Sequence, residues 1–139
     1  MVQLIVGEKG KGKTKQLLDK VNTEVISVSG NIVYLDRSPK HMYELNNKVR
    51  LIDVSDYFID NYDNFLGFVC GIISQDHDLE QMYLDGFMPI SKCDASTLDI
   101  VLDKLDAISE KFGVDFVISV SLSEKDLSDK AKSKVIISL

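Results

Sequence analysis

Apolar residues come in short runs along the chain, broken by polar turns, and their spacing switches between two periods. Val2-Gln3-Leu4-Ile5-Val6, Asn31-Ile32-Val33-Tyr34-Leu35, Val49 to Val54, Glu80 to Leu84, Asp115 to Val120 and Lys134 to Ser138 are runs of strand length. Helical spacing fills the intervals. Lys15 to Val21 continues from a glycine-rich stretch, and Tyr62 to Ser74 opens on Asn61 or Asp63 as a cap. The strongest helix runs from about Ala95 to Lys111 and is stopped by Gly113. Leu98, Val101, Leu102, Leu105 and Ile108 share one of its faces, while Asp99, Asp103, Lys104, Asp106 and Glu110 lie elsewhere. Ser123-Glu124-Lys125-Asp126 resembles a capping box before a last short helix.

The remaining segments read as connections. Asn22 to Gly30 is a mixed connector, Arg37-Ser38-Pro39-Lys40 is turn chemistry, and His41 to Leu45 reads as a short return strand. Gln75 to Asp78 is a polar loop in which His77 is solvated. Gly67 and Gly71, four apart on one helix face, suit close packing on a sheet. Strands alternate with helices throughout, which predicts an α/β fold: a three-layer sandwich with a mostly parallel sheet. With no repeat, linker or low-complexity tract, residues 1–139 read as a single domain.

Composition narrows the function classes. Hydrophobic residues at 45% and charged residues at 27% fit an ordinary globular chain. A net charge of −6 argues against a nucleic-acid partner, which would require a broad basic face. The apolar run before Gly7 is too short for a signal peptide, and Phe65 to Ile73 is too short to span a bilayer. A cytoplasmic protein is therefore expected. Cys70 and Cys93 lack metal or redox spacing, and Cys70 reads as a buried core thiol.

One stretch carries chemistry. Gly7-Glu8-Lys9-Gly10-Lys11-Gly12-Lys13-Thr14 has the pattern G-x-x-x-x-G-K-T, the phosphate-binding loop known as Walker A. Its glycines let backbone amides point into one concavity, Lys13 reaches the β- and γ-phosphates, and the Thr14 hydroxyl ligates Mg²⁺. The helix that follows adds unpaired N–H groups and a positive dipole end. Lys9, Lys11, Lys13 and Lys15 make a positive island on an acidic chain. The strand before the loop and the helix after it supply the context that the motif demands. A second acidic group should hold the Mg²⁺ hydration shell from the end of a strand, and Asp36, Asp53 and Asp85 each end an apolar run.

On these residues the chain resembles the P-loop nucleotidase superfamily, in the branch of RecA-like and AAA-type ATPases. That branch places an extra strand between the Walker A and Walker B strands, with Walker B on the third strand in chain order. The resemblance implies that Asp85 is the Walker B residue, with Asp36 second, and that Ile118-Ser119-Val120-Ser121 is the intervening strand with its polar sensor. It covers nearly the whole chain and is nearest to small stand-alone bacterial P-loop ATP-binding proteins, some labelled twitching-motility ATPase. Those hexameric motors carry an additional N-terminal domain and a His-containing box for which this chain has no room.

The pattern departs from active ATPases at one place: Gly86, rather than a glutamate, follows Asp85. The implied function is Mg·ATP binding with weak or partner-dependent hydrolysis, carried by Lys13 and Asp85, with a homo-oligomer or a protein partner supplying what is missing. A small-molecule or nucleotide kinase is the first alternative, although Arg37 and Arg50 are the only arginines for a lid. A non-enzymatic, nucleotide-switched binding module is the second. With Leu139 directly after the last strand, base selectivity is expected to be modest.

Overall fold

A computed structural model describes residues 1–139 as six strands and five α-helices. The order is β1 (Val2–Val6), α1 (Lys13–Ser27), β2 (Asn31–Asp36), β3 (Val49–Asp53), α2 (Tyr62–Ser74), β4 (Leu79–Leu84), α3 (Phe87–Ser91), α4 (Leu98–Phe112), β5 (Asp115–Val120), α5 (Asp129–Lys132) and β6 (Val135–Ser138). The strands form one sheet in the order β3-β2-β4-β5-β1-β6, and every pairing is parallel. The fold is therefore the expected α/β sandwich. No helix is long and apolar enough to cross a membrane.

Strand alternation divides the core in two. Leu4, Val6, Val33, Leu35, Met82, Leu84, Phe116 and Ile118 face the layer built by α2, α3 and α4. Their neighbours Ile5, Ile32, Tyr34, Tyr83 and Val117 face the other way, onto Leu17, Leu18, Val21 and Val25 of α1. A period of two buried on both faces turns each strand into a continuous apolar run.

Several elements differ from the sequence reading. Helix α1 continues through the expected connector because Val25 extends the buried face of Val21, while Asn22, Thr23 and Glu24 point outward. Met42 to Glu44 form a 3₁₀ turn rather than a return strand, with Met42 and Tyr43 exposed and lacking a strand partner. Helix α4 begins at Leu98, because the Asp94 carboxylate accepts from the amides of Ser96 and Thr97 and holds the preceding residues in a turn. Helix α3, with Pro89 in its first turn, had no expected counterpart.

Three side-chain readings change as well. Gly67 and Gly71 face solvent, since Phe65, Leu66, Val69, Ile72 and Ile73 are the buried face of α2. Cys93 is the buried thiol and Cys70 is only half-buried. Ser123 caps nothing; Ser128 caps α5, accepting from the Ala131 amide at 3.1 Å. His77 is exposed in its loop, as expected.

The entry to β2 is closely fitted. The Gly30 amide donates to the Glu80 carboxylate, and a Cβ at Gly30 would run into the Asp78 carbonyl and the Glu80 side chain. Replacing Gly30 with alanine should destabilise the protein by about 1–3 kcal/mol, the usual range for forced overpacking. Urea unfolding measures it, and an unchanged midpoint would show that this entry is loose.

Candidate functional site

The alternation that builds the core also aims the site. Asp36 lies two residues beyond Tyr34, and Asp85 two beyond Tyr83, so both carboxylates continue the face covered by α1. Register then brings them together. Tyr34 pairs with Tyr83 and Leu35 with Leu84, so the two aspartates leave adjacent strand ends side by side. Between β4 and β1 lies β5, whose Ser119 points to the same face. This is the intervening-strand arrangement expected from the resemblance. Asp85, however, follows the fourth strand in chain order, because β3 adds an edge strand beyond β2.

Asp85 is buried at 7% exposure and held by three hydroxyls. Thr14 Oγ1 donates to Oδ1 at 3.1 Å, Ser119 Oγ donates to Oδ1 at 3.2 Å, and Tyr34 OH donates to Oδ2 at 2.8 Å. Ser119 in turn accepts from the Gly86 amide at 2.8 Å. Burial, together with the charge of Asp85, pushes the Tyr34 phenol far above its ordinary range, so it stays a donor.

Asp36 is equally buried but poorly satisfied. Its Oδ1 accepts from the Arg37 amide at 2.7 Å, while Oδ2 has no hydrogen-bond partner. Burial raises its pKa first, and the neighbouring charge of Asp85 raises it further. Asp53, the third candidate, accepts instead from the amide and hydroxyl of Ser55 and is a turn cap.

The glycine-rich loop stands opposite. Gly10 and Gly12 adopt φ of +86° and +96°, the left-handed region that glycine permits without strain. Gly7 is buried, and a Cβ there would press on Leu139 of the sheet's last strand end. Lys13 is 8% exposed, and its Nζ donates to the Glu8 carbonyl at 3.1 Å. Burial lowers the Lys13 pKa, and Asp85 partly restores it.

These groups line a cleft of about 630 Å³. Of the expected loop residues, Lys9, Gly10, Gly12, Lys13 and Thr14 line it, and Asp85 closes its floor. Four others do not: Gly7 lies against Leu139, and the remaining three turn elsewhere. Lys15 pairs with Asp19 one helical turn on, Glu8 accepts from Ser123 at 3.2 Å, and Lys11 is exposed away from the lining. Arg37, Lys40 and His41 also line the cleft, all from the segment after β2. Arg50 instead borders a separate hollow with Asn31 and Asp76. Sequence reasoning missed Tyr34 and His41. Tyr34 was legible in principle, since an in-facing tyrosine two residues before a strand-end aspartate shares its face.

No protein-family profile matches the chain, and no curated protein matches it. Among solved structures, the fold is similar to that of a KaiC-like protein from the hyperthermophilic archaeon Pyrococcus horikoshii, with a TM-score of 0.65 at 19% identity. The likeness covers 95% of this chain and 66% of that chain, just under two thirds. It is a likeness of fold alone, that of a parallel α/β sandwich.

The unequal treatment of the two carboxylates has a measurable sign. Because the folded pKa of Asp36 lies above its ordinary 3.8, stability falls as pH rises from 3.8 through the folded value. Asp36→Asn keeps an acceptor for the Arg37 amide and removes the buried charge. It should melt higher than wild type at pH 8 with EDTA present, and the gap should close toward pH 4. Thermal melts across that range test it; a variant that melts lower at pH 8 would mean that Asp36 is stabilised by a partner.

Proposed function

We propose that residues 1–139 form a single Mg·ATP-binding domain in which hydrolysis is weak or depends on a partner. The observation that carries this reading is the meeting of Thr14 and Asp85 at 3.1 Å beside Lys13. A hydroxyl at the start of a helix and a carboxylate at the end of a strand are hard oxygen donors of the kind that hold Mg²⁺ beside a phosphate chain. The loop amides and the N-terminus of α1 would receive the phosphates, with Lys13 as counter-charge. In the free protein that lysine is tied to the Glu8 carbonyl, so its charge is kept on the loop that would use it.

Asp85 and Thr14 would hold the metal, and Mg²⁺ would supply charge neutralisation between the β- and γ-phosphates. Gly86 offers no carboxylate to orient water, and Asp36 is the second acidic group of the cleft left for that part. The cleft cations outside the loop, Arg37 and Lys40, sit exposed on one short turn. Their position against a γ-phosphate depends on something holding that turn, which is why the slow reading is preferred. The same two cations give the kinase reading its one support, since a second phosphorylated substrate would meet them.

Lys13→Ala should leave the fold intact, because the lysine's charged end lines the cleft and bonds only the Glu8 carbonyl, and should weaken ATP binding about a hundredfold, ~2.7 kcal/mol at 1.36 kcal/mol per decade. Calorimetry with ATP and Mg²⁺, alongside circular dichroism, is the measurement. Unchanged affinity in a folded variant would remove the nucleotide reading. Following the γ-phosphate in wild type separates the alternatives: slow release marks an ATPase, transfer to an acceptor a kinase, and retention a nucleotide-switched module.

A further inference from the structure

The only buried side-chain nitrogen or oxygen without a hydrogen-bond partner in the protein is Oδ2 of Asp36. Leaving such an atom unpaired costs free energy on the scale of a lost hydrogen bond or more, so its surroundings call for an explanation. Within 4.8 Å of one another lie a carboxylate oxygen of Asp36, one of Asp85 and a ring nitrogen of His41. Two buried carboxylates on adjacent strands repel each other, and nothing on the chain neutralises both. Lys13 is engaged with the Glu8 carbonyl, while Arg37 and Lys40 are exposed at the rim.

His41 is itself supported from behind. Its Nδ1 lies 3.3 Å from Glu44 Oε2, and the ring is only 19% exposed. A hydrogen bond from Nδ1–H to Glu44 would leave the lone pair of Nε2 free to ligate. A carboxylate behind an imidazole is the usual supporting arrangement of a metal-binding histidine. Bound at ~2.1 Å from each donor, the three ligand atoms would stand about 3.0–3.5 Å apart. Separations of up to 4.8 Å would have to close by on the order of 1 Å, a movement within reach of the short turn between β2 and the 3₁₀ segment that carries His41.

We propose that Asp36, His41 and Asp85 form a site for a divalent first-row transition metal that fills in the absence of nucleotide. Imidazole with two carboxylates suits Mn²⁺, Co²⁺ or Zn²⁺ rather than Mg²⁺, which prefers oxygen alone. The site lies beside the Thr14–Asp85 position and shares only Asp85 with it. It needs no phosphate, so it stands whether or not the chain binds ATP.

Titrating Mn²⁺ into isotope-labelled, nucleotide-free protein tests it. Paramagnetic broadening should centre on the amides of residues 36–41 and 85–86, with one ion per chain. Mn²⁺ should bind about tenfold or more tightly than Mg²⁺. His41→Ala should weaken Mn²⁺ about tenfold or more, with Mg²⁺ affinity little changed, while His77→Ala, which removes the only other histidine, should alter neither. Broadening confined to other acidic surfaces, equal affinity for the two ions, or a His41→Ala variant that binds Mn²⁺ as well as wild type would each overturn the proposal. The preference of wild type for Mn²⁺ over Mg²⁺ needs no substitution, so it decides the matter even if a variant fails to fold.

Discussion

A buried carboxylate has to be surrounded by donors, and satisfying Asp85 fixes the relative positions of four elements. Its three hydroxyl partners come from α1, β2 and β5, while the aspartate itself ends β4. Hydrogen bonds to a charged group contribute roughly 1.5–3 kcal/mol each, and losing any one leaves a buried charge short of a partner. Because one donor sits at the first turn of α1, the glycine-rich loop is pinned over the strand ends by the same network. The cleft is thus held by polar contacts at its floor and by apolar packing on both sides of the sheet below.

Topology explains why the floor is there. All six strands run parallel, so their carboxyl ends gather at one edge of the sheet. The chain leaving β1 crosses to one face as α1, while the chain leaving β4 crosses to the other as α3 and α4. Between these opposite departures a crevice opens, as parallel sheets do where their connections diverge. Polar strand-end residues are tolerated in that crevice, and Asp36, Asp85 and Ser119 occupy it.

The loop and the strands were legible because each carries its own signal: glycine spacing in one case, compact apolar runs in the other. Asp85 shares its strand-end signal with Asp36 and Asp53, and only the resemblance prefers it; of its partners, Thr14 and Ser119 lie in stretches that the sequence singles out, whereas Tyr34 does not. That Tyr34 reaches Asp85 depends on the register of β2 against β4, which no local pattern encodes. The sequence pattern of α1 breaks at Asn22, where the outer face turns polar, although Val25 keeps the inner face apolar to Ser27. The Gly67–Gly71 pair misled for the opposite reason: spacing gives a shared face, not which face is buried. The local pattern at His41 reads as a strand, and only the 3₁₀ turn brings its ring to the two aspartates.

The glycine-rich loop is braced by segments that come late in the chain. Glu8 is held by Ser123, 115 residues away, and Gly7 rests against Leu139. During synthesis on the ribosome, the loop residues emerge long before β5 and β6 exist to support them. A nascent chain would therefore display the motif without its shape, and the loop could take that shape only once β5 and β6 have emerged and paired.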